Sequence, residues 1–452
     1  MIRRLRAAAM PVLCLVAVLV VGAAVPAAAH NVTAGADLRI AQTIAGAEVT
    51  VVIKGTPRVP GPLRIGVIAY QPVAALPVGL EVRSVEDGRT VAGTARAAAR
   101  DPQYARLQVE RTGPHELKLS AGNEVAVIPF RVLVERGSAG DFLIYGGLFV
   151  AGLLLAGGLL TGALARRGAA MLLAAGAAAG VTVAAVVIVF EPWMPPPVPE
   201  GAAPEASEAG VATGGRPYAQ ARVATVPARP EAGEEFTLRI DLVDGSTGRP
   251  VDDLTVHHEA LAHVVVTSED GRYFRHLHPL RTAPGRLEVR MRADRPGRYL
   301  THTELERENS GGQLAAATVT VGGEAPAPEV ATDSAAKDPA EAGAGGVGAG
   351  GMGAVPRLRP EIPVAGRPAT IELDTPAGVR PWLGMAGHLL IRSQDGAFFG
   401  HVHEMGAPGS RLRFTFSFPQ AGRYLAWAQY ATGEGVVTMP FAVDVTASEA
   451  TR

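Results

Sequence analysis

Two stretches decide the fold. The first reads Leu261-Ala262-His263-Val264-Val265-Val266 and continues to Tyr273-Phe274-Arg275-His276-Leu277-His278. The second reads Ala386-Gly387-His388-Leu389-Leu390-Ile391 and continues to Phe398-Phe399-Gly400-His401-Val402-His403. In both, a His is followed after twelve residues by His-x-His. Between the halves, Ser268-Glu269-Asp270-Gly271 parallels Ser393-Gln394-Asp395-Gly396, a hairpin turn in each copy. The match runs on without a gap at an offset of 125, so that Gly297-Arg298-Tyr299-Leu300 meets Gly422-Arg423-Tyr424-Leu425. This is an internal repeat of two units, 231–322 and 357–446.

Strand periodicity gives the repeat its class. Phe236, Leu238, Ile240 and Leu242 alternate with polar neighbours, as do Leu412, Phe414, Phe416 and Phe418. Short strands with turns between them predict an immunoglobulin-like or cupredoxin-like β-sandwich for each unit. Residues two apart on a strand share a face, so His276 and His278 point one way, as do His401 and His403. Antiparallel pairing across the turn lets His263 or His388 approach from the neighbouring strand. Three convergent neutral imidazoles suit Cu(II), Zn or Ni. The predicted metal ligands are therefore His263, His276 and His278 in one copy, and His388, His401 and His403 in the other.

Nine of the eleven His residues lie in these units. The first adds His257, His258 and His302. The second has Trp427 at the His302 position and adds Met385 and Met405, a His/Met mixture that favours copper over zinc. The competing reading is a structural or protein-interaction module whose His residues only pack. Neutral imidazole is the ligand form, so metal binding is expected to weaken as pH falls through about 6.5, the reference His value.

The segment His258-Glu259 through His263, with Ser268-Glu269-Asp270 and His276-Leu277-His278-Pro279, resembles YtkA-like exported domains and the related CopC-like copper-handling sandwiches. The resemblance covers roughly 230 to 322 and, more loosely, 357 to 446. It implies an extracytoplasmic β-sandwich in a heavy-metal or copper context. The second copy departs from it, with Leu383-Gly384 in place of His258-Glu259 and Glu404 in place of Pro279.

The rest of the chain is organised around these units. Residues 30–140 carry short strand-like runs between Gly/Pro turns and predict a third small β domain. Phe142 to Leu164 and Gly168 to Phe190 are uncharged and long enough to cross a bilayer, with Arg166 and Arg167 between them. Positive-inside logic puts that connection in the cytoplasm and both flanks outside. The spans hold few polar groups, which favours a membrane anchor over a transport path. Arg3, Arg4 and Arg6, an apolar run and Ala27-Ala28-Ala29 read as a signal peptide over 1–29. Cleavage there makes His30 the new amino terminus, and His115, on a Pro114-His115-Glu116 turn, is the only other His of that domain. A Pro-rich linker over 191–230 and a Gly/Ala-rich tether over 323–356 complete the layout.

Composition narrows the function classes. With 42 basic and 43 acidic residues among 452, no global charge favours nucleic acid. The single Cys excludes an intramolecular disulfide and a thiolate zinc finger. No nucleophile or carboxylate pair in a recognisable setting points to an enzyme. The expected whole is a mainly β protein of three extracytoplasmic sandwiches and a two-helix transmembrane hairpin. It binds a metal ion, copper first and zinc second, and its other expected partner is another envelope protein.

Overall fold

The computed structural model describes residues 31–32, 35–70, 76–98, 102–194, 197–202, 218–308, 310–324, 356–404 and 410–448. The expected signal peptide, His30, Met405 and most of the Gly/Ala tract lie outside the described residues. The chain forms two compact bodies, a helical one within 133–202 and a β body from the described residues of 29–132 and 203–452.

The helical body is a hairpin. Helix α1 spans Ala139–Leu160 and helix α2 spans Arg167–Phe190. Ser138 caps α1: its hydroxyl accepts from the Asp141 amide at 2.8 Å, and the Asp141 carboxylate accepts from the Ser138 amide at 2.7 Å. The first helix ends four residues before the expected Leu164, because Gly162 takes a positive φ of 66° and turns the chain. Both helices are long and apolar enough to cross a membrane. They approach closely where glycines face each other. A Cβ added to Gly147 would lie 2.5 Å from the Gly180 carbonyl oxygen, and one added to Gly180 would lie 2.5 Å from that of Gly147.

The β body contains three sandwiches. In the first, a sheet ordered Asn31–Val32, Glu124–Val132, Gly113–Ala121, Pro77–Ser84 and Thr90–Arg96 covers a second sheet ordered Leu38–Ile44, Ala47–Lys54, Gly61–Ala69 and Ala105–Val109. Aliphatic side chains from both, Ile40, Val51, Leu63, Leu117 and Ile128 among them, fill the space between. Each such side chain contributes roughly 1.5–3 kcal/mol when fully buried.

Each repeat has the same plan. The first packs Ala219–Val226, Glu235–Asp244, Arg286–Arg292 and Leu280–Ala283 against a sheet containing Leu254–Thr255, Gly297–Arg307, Ala262–Ser268 and Phe274–Leu277, with Gly311–Val321 beside Gly297–Arg307. The second packs Arg357–Arg359, Pro368–Asp374 and Arg411–Ser417 against Phe399–Glu404, Gly387–Ser393, Gly422–Ala431 and Val436–Val445. Strand Ala219–Val226 lies inside the stretch expected to be Pro-rich linker. Its residues Ala-Gln-Ala-Arg-Val-Ala-Thr-Val are small and weakly patterned, yet they pair in full register with Glu235–Asp244.

The two repeats pack against each other, an arrangement that the Gly/Ala tether left open. In strand Ala262–Ser268, Val264 and Val266 enter the repeat's own core, whereas Val265 turns outward. In Gly387–Ser393, Leu389 and Ile391 do the same and Leu390 turns outward. The outward residues meet: Val265, Phe274, Leu390, Leu425 and Trp427 form one buried cluster between the copies. Burial on both faces explains why the two strands are buried along almost their whole length.

The contact is isologous within one chain. Phe274 stacks on Trp427 with ring centroids 4.8 Å apart, and the equivalent pair, Phe399 and His302, stacks at 4.5 Å. A Cβ at Gly271 would collide with Leu425, and one at Gly396 with Leu300. Each contact recurs with the copies exchanged, as in a two-fold dimer. One pair is asymmetric. Arg392 is fully buried and donates through Nη2 to the Ser268 and Glu269 carbonyls, both at 2.8 Å, where the first copy has Thr267.

Candidate metal centre

All six predicted ligands come together at this interface. His263 and His388 stand on the outward face with Val265 and Leu390. His276 and His401 occupy the same face of the neighbouring strands, directly opposite Val265 and Leu390. His403 pairs directly with His388. His278 lies one residue beyond its strand and is held by the amino-terminal sandwich instead. Its amide donates to Thr43 Oγ1 at 2.8 Å, and the Thr43 amide donates to its carbonyl at 2.7 Å. Each set of three places its donor atoms within 4.8 Å of one another.

The outer ring nitrogens fix the state of the inner ones. His263 Nε2 faces the His257 carbonyl at 3.1 Å, His276 Nδ1 faces Gln429 Oε1 at 2.8 Å, and His278 Nδ1 faces Glu48 Oε1 at 2.5 Å. These oxygens only accept, so in neutral rings the hydrogen sits on the outer nitrogen and the inner one carries a lone pair. The inner atoms, His263 Nδ1, His276 Nε2 and His278 Nε2, then face one another. His263 Nδ1 is 3.1 Å from each of the others. Three lone pairs with no hydrogen among them repel unless a cation lies between. Nitrogen ligands at about 2.0–2.1 Å around a tetrahedral ion stand about 3.3 Å apart. Two of the three separations in the triad are close to that value, and the third is within 4.8 Å.

The second triad follows the same rule. His388 Nε2 donates to the Trp382 carbonyl at 3.0 Å and His401 Nδ1 to Glu304 Oε2 at 2.7 Å. The inner atoms His388 Nδ1 and His401 Nε2 are 3.2 Å apart. The His403 ring centroid lies 5.0 Å from that of His388 and 4.4 Å from that of His401, and its Nε2 is buried without a hydrogen-bond partner. An orphaned buried nitrogen on a ring packed against the other two fits an ion held by three imidazoles. The two triads adjoin, with the His401 ring 5.4 Å from those of His263 and His276.

The acceptors are crossed between the copies. Glu304 and Gln429 occupy the same repeat position, yet Glu304 orients a His of the second copy and Gln429 one of the first. Such outer partners fix tautomer and ring orientation at metal sites. Glu48 comes from the third domain and also accepts from Thr43 Oγ1 at 2.9 Å. None of the three was singled out from sequence. The offset of 125 that equates Glu304 with Gln429 was a usable signal; for Glu48 there was none.

Burial holds five of the six rings neutral. Desolvation, with the neighbouring rings adding to it, pushes His263, His276 and His401 well below the ordinary imidazole value. It brings His388 down to about 3 and His403 to about 2. Burial raises Glu304 to about 7. The expected loss of binding through pH 6.5 took the reference imidazole value; burial places the protonation of these five rings below it.

The remaining sequence candidates separate from the centre. Met385 closes the turn that carries the Trp382 carbonyl, while Met405 lies outside the described residues. His302 stacks on Phe399. His115 is not on a turn: it is buried in strand Gly113–Ala121 and donates through Nδ1 to the Gly113 carbonyl at 3.0 Å.

One family model matches part of the chain. The model described as Domain of unknown function (DUF8832) matches residues 219–323 and 358–447, the two His-bearing sandwiches. A search of curated proteins gave no match. Among solved structures, the FN1–FN3 domains of chicken CNTN1 align with 87% of this chain and 97% of theirs, at 9% identity and a TM-score of 0.17. Invasin, a bacterial integrin-binding protein, aligns over 88% of this chain and 60% of its own, at 9% identity and a TM-score of 0.18. A red sea bream transglutaminase aligns over 54% and 34%, at 12% identity and a TM-score of 0.16.

Proposed function

We propose that the chain is a membrane-anchored, extracytoplasmic metal-binding protein that captures, buffers or delivers copper through two three-imidazole sites. The observation that carries this reading is the convergence of inner ring nitrogens in each triad, with the outer ring hydrogens of five of the six imidazoles already engaged. Copper is favoured by the donor set, since Cu(II) binds nitrogen ligands more tightly than the other divalent first-row ions. The resemblance to YtkA-like and CopC-like domains supports the same metal. Zinc is the second ion the donors accommodate.

The two apolar helices supply the anchor, and the Arg166-Arg167 connection supports an external position for the β body. Delivery requires a recipient, which the proposal takes to be another protein of the envelope. No reaction is assigned to the chain.

Calorimetric titration of the full chain in detergent with Cu(II), Zn(II) and, anaerobically, Cu(I) tests the proposal. Two ions per chain are expected, with one lost in the His276/His278 double alanine variant and the other in the His401/His403 double variant. Absence of saturable binding would overturn it.

A further inference from the structure

The two copies differ in what lies over their triads. A two-residue turn precedes each: His258-Glu259 in the first copy and Leu383-Gly384 in the second, flanked by His257 and Ala260 or by Trp382 and Met385. Both turns hold their central residues at positive φ, 47° and 58° in one, 53° and 74° in the other. Three of these four residues are not glycine, so the backbone is strained and kept so by its surroundings.

Over the first triad the turn is apolar. The Trp382 ring lies 5.7 Å from that of His276 and 6.1 Å from that of His278, and its other neighbour is the His388 ring of its own copy at 5.1 Å. Trp382 and Leu383 are buried in one cluster with Ala41, Tyr70, Ala260, Ala431 and Val436. That triad is sealed. Near the second triad the same two positions are imidazoles. The His258 ring lies 3.8 Å from that of His403, and the His257 ring lies 3.9 Å from that of His258. His257 Nδ1 pairs with Glu306 Oε2 at 2.9 Å, and both side chains are about a third exposed, at 32% and 33%. The series His257, His258, His403 therefore runs from solvent to the second triad without an apolar break.

We propose that His257, His258 and Glu306 form an outer metal subsite through which copper-class ions reach the His388/His401/His403 triad. The first triad, closed by Trp382 and Leu383, fills through the second. Two imidazoles and a carboxylate hold a borderline divalent ion loosely enough at the surface for it to pass inward. Strain at His258 has a use here, since it turns a ring toward His403 where the other copy turns a leucine into a core.

This inference rests on the triads being metal sites, and its test separates the two ideas. Stopped-flow mixing of the full-length protein in detergent with Cu(II), followed by tryptophan quenching, reads loading. Trp382 lies 5.1 Å from the His388 ring and 5.7 Å from the His276 ring, so its quenching reports loading of both triads. His258→Leu places there the residue that the second copy already holds at a φ of 53°, so the backbone tolerates it. Loss of an imidazole step should slow capture by roughly tenfold or more, as loss of a partner around a metal site does for affinity. His257→Gln, at a part-exposed position, should slow it in the same direction. Wild-type loading rates in both variants, in a protein that still takes up two ions, would overturn the loading path and leave the triads standing. Failure of the wild-type chain to bind Cu(II) at all would overturn both.

Discussion

The crossed acceptors make a prediction that no arrangement of independent domains would make. Replacing Gln429, which belongs to the second copy, should damage the metal site of the first. In Gln429→Leu the His276 Nδ1–H loses its only acceptor and faces an apolar side chain. A buried donor left in that state costs about 1–3 kcal/mol. The ring relieves the cost by moving its hydrogen to Nε2, which removes the inner lone pair, or by turning away. Either response weakens the first triad by roughly 10–100-fold, the usual effect of losing an outer partner, or about 1.4–3 kcal/mol. The second triad keeps Glu304 and should be untouched. The mirror variant, Glu304→Leu, should weaken only the second. The assay is a Cu(II) competition titration in two backgrounds, His403→Ala to leave the first triad and His278→Ala to leave the second. If Gln429→Leu weakens the second triad, or neither, the inner nitrogens are not oriented as the hydrogen bonds require and the reasoning fails.

Four further outcomes follow from particular contacts. Because burial brings His388 to about 3 and His403 to about 2 and holds His401 well below the ordinary imidazole value, the second triad stays neutral at moderately acidic pH, so in a His278→Ala background ion stoichiometry at about pH 5.5 should equal that at about pH 7.5; loss with a midpoint near the free imidazole value would contradict this. Burial lowers His302 to about 4, so it is neutral when folded and takes up a proton first on unfolding. Its contribution is complete above about pH 6.5 and falls away toward about pH 4, by on the order of 3 kcal/mol, and His302→Phe should flatten the acid limb of metal-free unfolding curves. Arg392→Ala strands the Ser268 and Glu269 carbonyls inside the interface and should lower stability by roughly 3 kcal/mol, measured by thermal unfolding. Gly147→Val should force the helices apart at Gly180 and cost roughly 1–3 kcal/mol in detergent unfolding, whereas Gly146→Val, where a Cβ meets nothing, should not.

The repeat was the most legible feature because each copy annotates the other. Offset 125 aligns the His residues, the Ser-x-Asp-Gly turns and the Gly-Arg-Tyr-Leu strands from the residues alone. Period-two alternation then gave the sandwiches and the shared face of His276 with His278. The meeting of the two copies was harder to see, although the chain carried a hint. Runs such as Val264-Val265-Val266 and Leu389-Leu390-Ile391 lack the polar alternation of a sheet with one wet face, and such runs mark strands buried on both sides. Ala219–Val226 was missed for the opposite reason, since small residues next to a Pro-rich tract carry almost no strand signal. Glu48 was beyond reach. It lies 230 residues from His278 and belongs to a domain with no repeat to compare it with.

The interface explains why the ligand set is divided as it is. Within each copy the backbone can bring three imidazoles together, because a cross-strand pair and an i, i+2 pair on one sheet do so by geometry alone. What a single sheet cannot supply is an acceptor behind the ring of His276 or His401, since that space lies outside its own sandwich. The second copy fills it in one case and the first in the other, and the amino-terminal sandwich supplies the carboxylate behind His278. Orientation of the inner lone pairs is therefore a property of the assembled β body and not of either repeat. A chain that holds its three domains together needs no metal to form the site, yet an ion placed there would bridge side chains whose outer partners come from all three, so binding and domain cohesion are linked.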